Sequence, residues 1–194
     1  MAAAGLTIKS GWAAFVVVAR DGTGARVLES RRVELCDPAG PETKQPYHDG
    51  FATMRREGPT LTRLLNSVRE CGGASVRATV REAQRAHGAL TGVGVVVGSL
   101  IDPSTIGNEH IRIHAMEGQV FRTVATSALD QCGIPCTVWR ERDLPARAPT
   151  FILPAGGPWR REQKVAALAA WLVLNGVSVM PAAAPRRRNS RRRR

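Results

Sequence analysis

The sequence predicts an α/β fold in which a mixed sheet is flanked by helices, and three observations carry that expectation. Residues 93–140 read as one strand, crossover helix, strand unit; residues 6–35 read as an antiparallel three-strand meander; a buried helix follows at 158–174. In the first of these, Val93-Gly-Val-Val-Val97 is an apolar run bounded by Gly92 and Gly98, and Ile134-Pro-Cys-Thr-Val-Trp139 repeats the pattern. Such runs suit strands covered on both faces. Between them, Glu109 to Cys132 places apolar residues at 113, 116, 120, 124 and 128, the spacing of a helix with one core face, and Gly133 stands where a helix C-cap belongs.

The remaining elements follow in chain order. Leu6-Thr-Ile8 predicts a first strand, Ser10-Gly11 a tight turn, and Trp12 to Ala19 a second strand rich in Val. Asp21-Gly-Thr-Gly24 is a hairpin turn leading into a third strand, Arg26 to Leu35. Residues 37–59 hold four prolines and three glycines and predict a long loop, in which Tyr47-His48-Asp49 reads as a hydrogen-bonded cluster. A helix is expected from Thr60 to Cys71, ended by Gly72-Gly73, and a second from a Ser75 cap to His87. Glu141 to Gly157 reads as irregular, and the last helix as starting near Pro158 and ending near Leu174. Gly92-Val-Gly-Val-Val-Val-Gly98 is not a dinucleotide fingerprint, because its glycines fall within the strand instead of in a turn before a helix.

Length and charge bound the rest. A chain of 194 residues with 43% hydrophobic content suits one domain, 1–180, with an Arg-rich tail at 181–194 that has no apolar pattern and should be disordered until bound. The formal charge is +12, of which seven units are Arg186, Arg187, Arg188, Arg191, Arg192, Arg193 and Arg194. That distribution points to a polyanionic partner, nucleic acid before an anionic membrane surface. An Arg-rich genome composition would account for the tail equally simply. The apolar run 165–174 is too short to span a bilayer. Cys36, Cys71, Cys132 and Cys136 are expected as reduced thiols of a cytoplasmic protein, since the first residues lack a signal-peptide pattern.

The order of elements matches the ribonuclease H-like fold, and local residues resemble the Holliday-junction resolvase family over most of 5–175. Leu6-Thr-Ile-Lys-Ser-Gly-Trp-Ala-Ala-Phe-Val-Val is similar to that family's first two strands, with Lys9 at the catalytic aspartate. Gly118-Gln-Val-Phe-Arg-Thr-Val-Ala resembles its Gly-Gln helix, and Gln163-Lys-Val-Ala-Ala-Leu-Ala-Ala its Ala-rich last helix. The resemblance implies two-metal phosphodiester cleavage, which needs three or four converging carboxylates. Here Lys9 takes the first place, the strand glutamate falls near Gly98, and the last-helix acids fall near Arg161 and Lys164, with only Glu162 acidic. A lysine there would repel Mg²⁺. Lys9 and Lys164 instead suggest a phosphate-binding cleft in which ammonium groups stand in for the metal charge.

Other residues invite chemistry. Arg77, Arg81 and Arg85 recur at i, i+4 spacing on one helical stripe, a phosphate-facing ridge or a solvated face partly neutralised by Glu82. His110, His114 and Glu117 stand at i, i+4, i+7, with Asn108 and Arg112 beside them. Two imidazoles and a carboxylate suit zinc with an open position, yet the H-E-x-x-H base is missing; a structural or solvated face is the plainer reading of the same residues, with contact to a polar ligand next and metal last. No metal and no cofactor is assigned. The sequence therefore reads as a non-catalytic nucleic-acid-binding protein, for DNA or RNA, using Lys9, Arg77, Arg81, Arg85, Arg112, Lys164 and the Arg tail, with Trp12 or Trp159 stacking on bases where exposed. A homodimer is compatible with it. The alternatives are a metal-dependent nuclease or hydrolase using Asp102, His110, His114 and Glu117, and a protein-interaction module without chemistry.

Overall fold

A computed structural model describes residues 1–22, 24–50, 53–154 and 159–177. Six strands form one sheet in the order β5-β4-β1-β2-β3-β6. The meander is β1 (Ala2–Lys9), β2 (Trp12–Asp21) and β3 (Gly24–Glu34), with β1 and β2 antiparallel from Ala2↔Ala19 to Lys9↔Trp12. β4 (Leu90–Val97) lies parallel to β1, and β5 (Cys136–Arg140) parallel to β4. β1 starts earlier than Leu6 because Ala3 and Ala4, fully buried between β2 and β4, extend it; alanine carries little strand signal of its own. Within the stretch expected to be irregular, β6 (Phe151–Ile152) pairs parallel with Ala25 and Arg26 of β3, too short to leave a pattern.

Helices cover both faces. α1 (Pro59–His87) and α2 (Glu109–Gln131) pack on one side, where Leu6, Phe15 and Val17 meet Val68, Val76, Phe121 and Val124. α3 (Arg161–Leu174) lies on the other, its Ala166, Ala167 and Ala170 against Val16 and Val18. The close seating of α3 depends on glycine. A Cβ on Gly5 would overlap the carbonyl oxygen of Ala166, and one on Gly94 would lie 2.7 Å from that of Ala169. This is why glycine stands inside both central strands.

The two helices expected at 60–71 and 75–87 are one helix of 29 residues. Gly72 and Gly73 do not end it: both are buried, and a Cβ at Gly72 would meet the Leu35 carbonyl oxygen at 2.7 Å and Val124 at 3.0 Å. Gly72 is there for close packing. Ser75, read as a cap, is therefore mid-helix, and the chain turns at Gly88 with φ 80°. The α2 stripe is also displaced from the one expected. Met116 and Val120 are only partly buried, while Ile113, Glu117, Phe121, Val124 and Ala128 face the core. A carboxylate thus occupies a core position. α3 begins at Arg161 and not at Pro158, which lies outside the described residues, as do residues 178–194 and with them the expected tail 181–194. The four cysteines are free, and no helix among the described residues is long and apolar enough to cross a membrane.

Candidate functional site

Two neighbouring constellations occupy the carboxyl edge of β1 and β4, the edge where open α/β sheets tend to bind ligands. The first surrounds Lys9, the last residue of β1. Its ammonium lies 3.5 Å from Glu141, in the turn after β5, and the same carboxylate takes Arg161 of α3 at 2.9 Å through Nε and 2.7 Å through Nη2. One carboxylate faces two cations, so the cluster keeps a positive balance. A cleft of about 360 Å³ opens beside it, lined by Lys9, Ser10, Gly98, Ser99, His114 and Arg122 among others. Among the described residues no carboxylate lines this cleft. The donor set for two divalent cations does not fit here: an ammonium and a guanidinium already share the Glu141 carboxylate, and among the described residues no acid lines the cleft.

The second constellation is assembled from a loop and a helix. Asn108 caps α2, its side chain accepting from the Ile111 N–H at 3.0 Å, and the first two turns then present His110 and His114 on one face. Their Nε2 atoms are 2.9 Å apart. His48, from the loop before α1, closes the group: one nitrogen from each of the three imidazoles lies within 4.8 Å of the other two. Beneath them is Glu117, 1% exposed. Its Oε1 is 2.7 Å from Nδ1 of His48, and its Oε2 is 3.8 Å from Nδ1 of His114.

The loop is held so that His48 stays in place. Arg55 donates from Nε to the Pro46 carbonyl at 3.1 Å and from Nη2 to the His48 carbonyl at 2.7 Å, and pairs with Asp49 at 3.3 Å. The Arg55 N–H reaches the Tyr47 carbonyl at 2.7 Å, and Glu109 of α2 accepts the Met54 N–H at 3.1 Å. Burial pushes the Glu117 carboxyl above the ordinary 4.5, opposed by the hydrogen bond and charge of His48 and by the Tyr47 N–H. Burial, then His48 and His110, hold the His114 imidazole below its ordinary 6.5.

The residues singled out from sequence divide accordingly. His110, His114 and Glu117 do come together, but Glu117 lies under the imidazoles in the core instead of continuing an exposed face. His48, read as part of a loop cluster with Tyr47 and Asp49, is the missing member; nothing in local spacing could attach it to Glu117, 69 positions away. Asp102 caps a short 3₁₀ turn through the Ser104 N–H at 2.9 Å, a bond that lowers its carboxyl below the ordinary 3.8. It is not among the residues of the histidine group.

The expected arginine ridge is uneven. Arg77 is partly buried and donates to Gln131 of α2 at 2.9 Å, Arg81 and Arg85 are exposed, and Glu82, expected to neutralise the stripe, pairs with Arg31 of β3 instead. Arg112 is partly buried, and Lys164 is exposed on α3, where it is Arg161 that joins Lys9 through Glu141. The two tryptophans are engaged within the fold: Arg32 sits over the Trp12 ring at 4.2 Å, and Trp159 packs edge-on against Phe151 with ring centres 6.0 Å apart. Arg186, Arg187, Arg188, Arg191, Arg192, Arg193 and Arg194 lie outside the described residues.

Comparison with known proteins bears on the fold. No protein-family model matches the chain, and no curated protein sequence matches it. Among solved structures, Thermus thermophilus RuvC is similar with a TM-score of 0.51 and 14% sequence identity, over 91% of this chain and 98% of that one. RuvC from the same organism in complex with a Holliday junction substrate gives a TM-score of 0.51 and 14% identity over 91% and 97%. A Ppx/GppA family member from Aquifex aeolicus matches 72% of this chain and 35% of its own, with a TM-score of 0.37 and 8% identity. With β1, β2 and β3 as the meander, β4 and β5 joined by α2, and α3 across the back, the chain has the ribonuclease H-like fold, the architecture it shares with the RuvC structure from Thermus thermophilus.

Proposed function

We propose that the chain binds nucleic acid through the cationic cleft at the carboxyl edge of β1 and β4, together with its Arg-rich end, and does not cut it. One observation carries this reading. Lys9 and Arg161 share Glu141 where the resemblance to resolvases implies metal-binding carboxylates, so charge complementary to phosphate replaces charge complementary to Mg²⁺. Lys9, Arg122 and Arg161 would contact phosphates, with Arg81 and Arg85 of α1 as a second, more distant set. Phosphate contacts are sequence-independent, so the reading implies affinity without base specificity.

Fluorescence anisotropy with labelled duplex, four-way junction and single-stranded DNA and RNA, titrated with salt in the presence and absence of Mg²⁺, tests it. Log affinity should fall linearly with log salt, each phosphate contact adding about 0.9 to the slope on duplex DNA. Deleting 185–194 should flatten that slope, and Lys9→Ala with Arg161→Ala should weaken binding without any cleavage appearing. Binding that ignores salt, or is unchanged in the double variant, would refute the cleft.

A second reading, a protein-docking module, is favoured by Leu100, Ile101 and Ile111, exposed at 43%, 54% and 58%, the last two of which line the same cleft. It predicts no affinity for polyanions. The hydrolase reading built on Asp102, His110, His114 and Glu117 would require Asp102 to act while its Oδ1 accepts the Ser104 N–H, outside the three-histidine group.

A further inference from the structure

We infer that His48, His110 and His114 form a binding site for a divalent first-row transition ion, zinc foremost, with Glu117 as the buried carboxylate that orients its ligands. The inference stands apart from the nucleic-acid reading and would survive its failure.

The chemistry begins with the donor set. Three neutral imidazoles suit Zn²⁺ and its first-row neighbours, whereas Mg²⁺ and Ca²⁺ require oxygen ligands. Nitrogens around a tetrahedral zinc at about 2.0–2.1 Å from the ion stand roughly 3.3 Å from one another. The three rings bring one nitrogen each within 4.8 Å of the other two, and two of these atoms are already 2.9 Å apart. Side-chain rotation on the order of 1 Å completes such a geometry, within ordinary torsional freedom.

The stronger argument is what lies behind the rings. Metal-ligating histidines characteristically give their other ring N–H to a carboxylate, which fixes tautomer and orientation. Glu117 does this for His48, with Oε1 2.7 Å from Nδ1, and leaves Nε2 of that ring for an ion. Its second oxygen, Oε2, is buried and has no hydrogen-bond partner among the described residues. Nδ1 of His114 stands 3.8 Å from it. The small inward rotation that brings His114 onto an ion would turn that Nδ1–H toward Oε2 and satisfy it. A buried unpaired carboxylate oxygen is costly; the ion would justify it, both by closing that bond and by setting a cation above the anionic carboxylate.

The support is preorganised. His110 and His114 ride on consecutive turns of a capped helix, and Arg55 fixes the His48 backbone through two carbonyls. Three protein ligands leave a fourth position for water or a ligand oxygen. His114 also lines the cleft that contains Lys9, so that position belongs to the same edge of the sheet.

The test is metal binding by the purified full-length chain, stripped with chelator and titrated with Zn²⁺ against a chromophoric competitor, and separately with Co²⁺. One equivalent should bind, and Co²⁺ should give the visible bands of a nitrogen-ligated tetrahedral site without the near-ultraviolet thiolate charge transfer that cysteine ligation would produce. His110→Ala and His114→Ala should abolish the site, and Glu117→Gln should weaken it 10- to 100-fold while leaving the three ligands in place. Each variant is checked by circular dichroism, and His110→Asn, at the helix's first turn, provides a milder variant where alanine lowers folding. Binding below one equivalent, thiolate bands, or affinity unchanged in the folded histidine variants would overturn the assignment.

Discussion

Replacing Gly94 by alanine tests how α3 is seated. Its new methyl would stand 2.7 Å from the carbonyl oxygen of Ala169, 2.8 Å from the carbonyl carbon and 2.8 Å from that residue's Cβ, all under the 3.0 Å that real Cβ contacts essentially never undercut. Two of the three obstacles are backbone, so no side chain can swing aside and the helix must withdraw from the sheet. Overpacking of this kind costs about 1–3 kcal/mol, and the rigid obstacle places it at the upper end. For a chain of this size each kcal/mol moves Tm by about 2–4 °C, giving a fall of roughly 6–12 °C. Gly118→Ala is the internal control. That glycine lies inside α2, where an added methyl would have nothing within 4 Å, so the helix propensity gain of about 0.5–1 kcal/mol should appear unopposed, raising Tm by roughly 1–4 °C. Both are read by thermal circular dichroism, backed by urea titration. A Gly94→Ala protein melting within a degree of the parent would refute the close approach of α3, and with it the reason for glycine in the central strands.

Other expectations concern the histidine group. Glu117→Leu alone should lower stability by about 1–3 kcal/mol, because the His48 N–H loses its acceptor, whereas Glu117→Leu with His48→Leu should match or exceed the parent in urea titration, as replacement of buried polar pairs often does. A double variant that is much less stable would show that the pair is structural. Arg55→Ala should leave the melting temperature nearly unchanged but raise amide exchange at 47–49, since it frees the Pro46 and His48 carbonyls; unaltered exchange there would remove Arg55 as the clamp. With His114 held below 6.5 in the fold, the unfolded chain takes up the proton first as pH falls, so its contribution to stability is complete above 6.5 and is lost below that value. Proton NMR of the metal-free protein should place its midpoint below 6.5, and His48→Ala should raise it; a midpoint at or above 6.5 in the parent would contradict the burial and charge assigned to it.

The strand, helix, strand unit and the meander were legible because they are local. Val93 to Val97 in β4 is an apolar run buried on both faces, and α2 repeats with a helical period over 23 residues. The same local logic misread Gly72-Gly73 as a helix end, because the partner that makes glycine necessary is the Leu35 carbonyl, far away in the chain. β6 left no signal at two residues, since a strand that short is made by its neighbour β3 and not by its own pattern.

For the site, the helical spacing of His110, His114 and Glu117 and the lysine at the end of β1 could be read from the chain alone. So could the lack of carboxylates at the positions the resolvase resemblance implies. What those residues amount to depended on how the chain folds. Folding turned Glu117 inward, so that the carboxylate serves the imidazoles from below, and delivered His48 from a loop with no periodicity, held by arginine bonds to main-chain carbonyls. It also gave Lys9 its companion, Arg161, through a shared Glu141. Periodicity reports which face of one element is buried, and burial is a local average; the meeting of side chains from different elements depends on the path of the whole chain, which no local pattern records.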